Sequence, residues 1–132
     1  MLAPASGGSV AFTRVLLVDD SVVLRRLAVM ALHSIGTYEV DEARDPFEAF
    51  ELLETGSYDL VITDLYMPGM DGIEFSKRLR AAPSTCAVPI ILVTGDRERS
   101  VEREAAEHGI DAVLVKPLDP RTLADTLDLC RA

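Results

Sequence analysis

Arg14-Val15-Leu16-Leu17-Val18-Asp19-Asp20 and Asp59-Leu60-Val61-Ile62-Thr63-Asp64 decide the fold, because each is a short apolar run that ends on carboxylates. Two further apolar runs end on Thr94 and on Lys116-Pro117. Such runs read as parallel strands buried on both faces. Ligands of an open parallel sheet bind at the carboxyl ends of its strands. Asp19, Asp20, Asp64, Thr94 and Lys116 are therefore expected together on one edge of one domain. Crowded carboxylates repel one another unless a cation joins them. An oxygen-rich cluster of this kind suits a hard divalent ion such as Mg2+. Lys116 opposite it equips the edge to hold a phosphoryl group.

Helical patterns fill the intervals between the runs. Ser21 can cap a helix that carries Leu24, Leu27, Ala28, Ala31 and Ile35 on one face, and Gly36 stops it. A weaker second strand spans 38–43. Asp45-Pro46 then offers a cap and a proline at the favoured first positions of a helix that ends at Gly56. A third helix is expected over 72–80 with Asp71 as its cap, and a fourth strand over 88–93. A charged helix follows over 97–108, with Val101, Ala105 and Ala106 as its apolar anchors, so it is expected to be the most mobile element. The fifth strand spans 112–115, and the last helix runs from Asp119 or Pro120 to Cys130. Five βα units predict an α/β fold, a parallel sheet with helices on both faces.

Composition fits one compact domain. The 132 residues are 48% apolar and 27% charged, with a net charge of −9. An acidic balance argues against nucleic acid as the partner, since phosphate contacts need a basic face. Cys86 and Cys130 form no metal-ligand or disulfide pattern, which points to a reducing compartment. No run approaches the roughly 20 apolar residues of a membrane span. Residues 1–13, rich in Ala, Gly, Ser and Pro, read as a flexible leader rather than a signal peptide.

Taken in order, Leu16-Leu17-Val18-Asp19-Asp20-Ser21, the stretch from Asp59 through Asp64-Leu65-Tyr66-Met67-Pro68-Gly69-Met70-Asp71-Gly72, Pro89-Ile90-Ile91-Leu92-Val93-Thr94-Gly95 and Lys116-Pro117 resemble the receiver domain of two-component response regulators. Each piece alone is an ordinary cap, turn or strand end; four in sequence, each closing a strand, carry the resemblance. It covers residues 14–131 and is nearest to the single-domain chemotaxis type. It implies a flavodoxin-like (βα)5 fold, a doubly wound five-stranded sheet in the order 2-1-3-4-5, with the site at the switch point between strands one and three.

The resemblance also implies roles. Asp64 is the phosphoacceptor, taking a phosphoryl group from a phosphohistidine as an acyl phosphate. Asp20 and Asp64 are direct Mg2+ ligands with the backbone carbonyl of Tyr66, while Asp19 acts through a metal-bound water. Lys116 pairs with Asp64 at rest and with a phosphoryl oxygen afterwards, aimed by a cis bond to Pro117. Thr94 donates its hydroxyl to the phosphoryl group. The expected partners are a sensor histidine kinase or histidine phosphotransfer protein, and a downstream protein that reads the face made by the fourth helix, fifth strand and fifth helix. The chain is expected to be cytoplasmic, a monomer or weak dimer, away from membranes and nucleic acid. It promotes its own phosphorylation and dephosphorylation without being a turnover enzyme.

Three positions depart from the family pattern. Val113 stands where many receivers place a Tyr or Phe whose ring swings inward on activation. Tyr66 is bulkier than the residues common two places after the acceptor, and its ring is in a position to cover the phosphoryl group. Asp96 stands two residues after Thr94 and bears, with Tyr66, on acyl phosphate lifetime. A second function class stays open on Val113: an adaptor of the same fold that docks without phosphorylation. An aspartate-nucleophile phosphatase is disfavoured, because those enzymes separate their paired aspartates by one residue and Asp19-Asp20 are adjacent.

Overall fold

The computed structural model describes residues 14–95 and 99–131, so the expected leader, Asp96 and Arg97 lie outside the described part. Ten elements alternate along it: β1 (Arg14–Val18), α1 (Val22–Ile35), β2 (Glu39–Ala43), α2 (Pro46–Thr55), β3 (Leu60–Asp64), α3 (Gly72–Ala81), β4 (Ile90–Thr94), α4 (Arg99–Glu107), β5 (Ala112–Val115) and α5 (Pro120–Arg131). The strands form one parallel sheet in the order β2-β1-β3-β4-β5. The expected flavodoxin-like order is the observed one.

Strand alternation divides the core in two. Leu16, Val18, Val61, Ile90 and Leu92 point toward α2, α3 and α4, where Phe75 and Leu79 meet them. Val15, Leu17, Leu60, Ile62, Ile91 and Val93 point toward α1 and α5, against Ala28, Leu32, Leu123 and Leu127. Each fully buried side chain of this size contributes about 1.5–3 kcal/mol. The same alternation assigns Asp64 and Lys116, just beyond Ile62 and Leu114, to the α1/α5 side, and Thr94, beyond Leu92, to the other.

The helix starts follow the expected chemistry. Ser21 Oγ accepts from Leu24 N, Asp45 from Glu48 N and Asp71 from Glu74 N. The buried face of α1 differs from expectation. Leu32 is fully buried while Leu27 is 43% exposed, because α1 meets the sheet and α5 along Ala28, Ala31 and Leu32. In α4, Val101 and Ala105 are buried but Ala106 faces solvent. His108 lies in the turn that follows rather than in the helix.

That turn has a fastening the sequence did not suggest. Arg80 Nε and Nη2 donate to the Gly109 carbonyl at 3.0 and 2.7 Å, Nη1 donates to Val88 O at 2.7 Å, and Nη2 pairs with Asp111 at 3.2 Å. One guanidinium thus ties the end of α4 to α3 and to the start of β4.

Candidate functional site

Backbone ladders run past the strand ends and carry the site residues with them. Asp19 N donates to Ala43 O at 3.0 Å, Leu65 N to Val93 O at 2.9 Å, and Lys116 N to Thr94 O at 2.9 Å. The turn after β3 is equally constrained. Gly69 adopts φ +86°, the left-handed region that favours glycine, and Gly72 N donates to Leu65 O at 2.7 Å.

This framework brings Asp19, Asp20 and Asp64 together, with one carboxylate oxygen from each lying within 4.8 Å of the others. Lys116 Nζ lies 2.9 Å from Asp64 Oδ1 and 3.3 Å from Asp19 Oδ2. Asp19 and Asp64 are buried, whereas Asp20 is exposed. Asp19 Oδ1 also accepts from Ser21 N at 2.8 Å. Leu24 and Ala28 of α1, with Pro117 and Leu118 of the loop between β5 and α5, line a pocket that Asp19, Asp64 and Lys116 also border. The Lys116-Pro117 bond is cis, as the receiver resemblance implied.

Three carboxylates against one ammonium leave two negative charges, which a divalent cation matches. The donors are all hard oxygens, the set that Mg2+ accepts. Burial, above all, raises the Asp64 pKa, and the neighbouring Asp19 adds to the rise against the opposing pull of Lys116 and the Tyr66 N–H. Burial acts to lower the Lys116 pKa, but its contacts with Asp64 and Asp19 outweigh it and the net shift is upward. The folded protein thus holds the Asp64 proton more tightly than the unfolded chain. Ionising Asp64 therefore costs stability as pH rises above the ordinary carboxylate range, and a cation in the cluster offsets that cost.

Thr94 is buried at the end of β4, where its carbonyl accepts from Lys116 N. Val113 is half-buried and packs against the α2/α3/α4 core. Tyr66 is 67% exposed. Met67 and Met70 are buried packing residues. Two residues that sequence reasoning passed over shape the site. Arg25 donates to the Asp19 carbonyl at 2.6 Å. Gly72 lies so close to Asp64 that a Cβ there would overlap its carbonyl oxygen.

A five-stranded parallel sheet in this order, with an acidic cluster and a lysine at its switch point, defines a receiver, and the chain belongs to the response regulator receiver domain family, whose profile matches residues 15–128. It is 36% identical over 115 residues to chemotaxis protein CheY-3 of Vibrio cholerae, covering 87% of this chain and 88% of that one. It is 38% identical over 110 residues to the cyclic di-GMP phosphodiesterase response regulator RpfG of Xanthomonas campestris, covering 83% of this chain but only 29% of that protein. Among solved structures, CheY4 of Vibrio cholerae superposes with a TM-score of 0.83 at 35% identity, covering 91% of this chain and 99% of that one. A response regulator receiver protein of Pseudomonas putida gives 0.79 at 30% identity, covering 91% and 98%. The chain is thus a receiver of two-component signalling, a domain that generally serves as a switch. Among the described residues no helix is long and apolar enough to cross a membrane.

Proposed function

We propose that Asp64 accepts a phosphoryl group from the phosphohistidine of a sensor kinase or histidine phosphotransfer protein, and that the chain signals by altered partner binding. The observation that supports this most strongly is the Lys116 ammonium, held between Asp64 and Asp19 at the edge of the acidic cluster. An Asp64 carboxylate oxygen forms the new bond to phosphorus as the bond to the histidine nitrogen breaks; with a proton on the ring's other nitrogen, the histidine leaves as neutral imidazole and an acyl phosphate remains on Asp64. Lys116 moves its pairing from Asp64 to a phosphoryl oxygen, and Thr94 donates its hydroxyl to another. Mg2+, held by Asp20, Asp64 and the Tyr66 carbonyl, with Asp19 acting through water, would neutralise charge on the transferred group. Hydrolysis of the acyl phosphate resets the switch. The setting is a cytoplasmic one, with the chain as a monomer or weak dimer.

The ligand assignment has a graded consequence. Both Asp19 oxygens are engaged, by Ser21 N and Lys116, whereas Asp20 has no hydrogen bond or ion pair among the described residues. Asp19→Asn is expected to weaken Mg2+ binding about tenfold, the scale of an outer contact, and Asp20→Asn to weaken it further. Titration of amide shifts with MgCl2 checks this, and equal losses would contradict the assignment.

Output is assigned to the face of α4, β5 and α5. The β4 end at Thr94 leads toward α4, whose far end is fastened by Arg80, so movement is expected at the Thr94 end. Without an aromatic ring at Val113 the change should be small. Phosphorylation must bias this element for a partner to read it. Pull-down with and without beryllofluoride separates the switch from the adaptor reading. Beryllofluoride-dependent capture is expected, and equal capture in both states would favour the adaptor.

A further inference from the structure

Asp20 has no bonds of its own among the described residues, yet both peptide planes beside it are fixed. A peptide unit is rigid and planar, so whatever holds the Asp19 carbonyl also sets the plane from which the Asp20 Cα extends. The carbonyl is held by Arg25 Nη1 at 2.6 Å. Arg25 Nε is held in turn by Glu42 Oε1 of β2 at 3.0 Å, and its side chain is only 14% exposed. The plane on the other side of Asp20 is fixed by Ser21 N, which donates to Asp19 Oδ1 at 2.8 Å. The Asp19 N–H is tied to Ala43 O, the residue after Glu42, so β2 grips the turn through a backbone bond and through the arginine.

We infer that Arg25 is a positioning residue for the metal ligand Asp20: it fixes the Asp19-Asp20 peptide plane from α1, and Glu42 holds it in place. This rests on the Mg2+ reading above and goes beyond it. The arrangement also answers an electrostatic difficulty. A bare cation beside a metal site would repel the metal, and pairing Arg25 with Glu42 keeps its hydrogen-bonding reach while cancelling its charge. Lysine would not replace it, because one ammonium on a flexible stem lacks the planar fork that spans both acceptors.

Charge and position predict opposite signs, which makes the inference testable by Mg2+ affinity alone. MgCl2 titrations of amide shifts in wild type, Arg25→Gln, Arg25→Lys and Asp20→Asn provide the constants, with thermal melts confirming that each protein is folded at the titration temperature. Arg25→Gln removes a cation, so a purely electrostatic role predicts tighter binding. Positioning predicts about tenfold weaker binding, the scale of lost outer contacts. Arg25→Lys keeps the charge and is expected to show an intermediate loss; it also decides the matter if Arg25→Gln does not fold. Unchanged or tighter binding in the folded Arg25 variants, with binding lost in Asp20→Asn, overturns the inference and leaves the metal site standing. Wild-type affinity in Asp20→Asn overturns the metal site and the inference together.

Discussion

Lys116→Met is expected to slow phosphorylation by acetyl phosphate about 10²- to 10³-fold, the scale on which removal of one charge-stabilising donor acts in an active site. Lys116 is the ammonium within reach of both buried carboxylates, at 2.9 Å from Asp64 and 3.3 Å from Asp19. Its loss leaves two buried carboxylates facing each other and removes the cation that meets the phosphoryl oxygens. The same substitution is expected to destabilise the metal-free fold. Breaking a buried pair by deleting one partner costs about 3–5 kcal/mol. Here protonation of Asp64, whose pKa already lies above the usual range, absorbs part of that cost. Phosphoprotein gels over time and thermal melts with and without Mg2+ measure both effects. A Lys116→Met protein that is labelled at the wild-type rate would remove the lysine from the chemistry.

Gly72→Ala is expected to destabilise the protein by about 3 kcal/mol, at the upper end for overpacking. An added Cβ would overlap the Asp64 carbonyl oxygen and press against Leu92 Cδ1. Neither neighbour can yield cheaply. The oxygen belongs to a central strand, and Leu92 is fully buried. Since Gly72 N also bonds Leu65 O, relief by moving the turn would cost that bond and shift the acceptor. Urea unfolding gives the stability change, and an unchanged midpoint would show that the turn has slack.

Much of this site was legible in the sequence because strands end where the chemistry begins. Apolar runs identify β1, β3, β4 and β5, and the residue after each run is carried to one edge by parallel pairing. The α1 face was harder to read. Apolar residues occur nearly all round that helix, with Leu27, Ala28, Val29, Met30, Ala31 and Leu32 in a row, so periodicity does not choose a face. Packing against α5 and the sheet makes the choice and turns Leu32 inward. Arg25 and Gly72 were invisible for a different reason. Their roles depend on how closely β2 and β3 approach α1 and α3, a distance that no local pattern encodes. Arg80 is similar, since the carbonyls it collects come from residues as far along the chain as Gly109.

The central claim is that Asp64 is the acceptor and that its chemistry needs Mg2+. The direct measurement is intact-mass and peptide mapping after incubation with acetyl phosphate, on wild type and Asp64→Asn, with and without Mg2+. The account predicts one phosphoryl group on the peptide that contains Asp64, stable in acid and labile in base, and absent from the variant and from metal-free wild type. Full labelling of Asp64→Asn, or of wild type without metal, would contradict it.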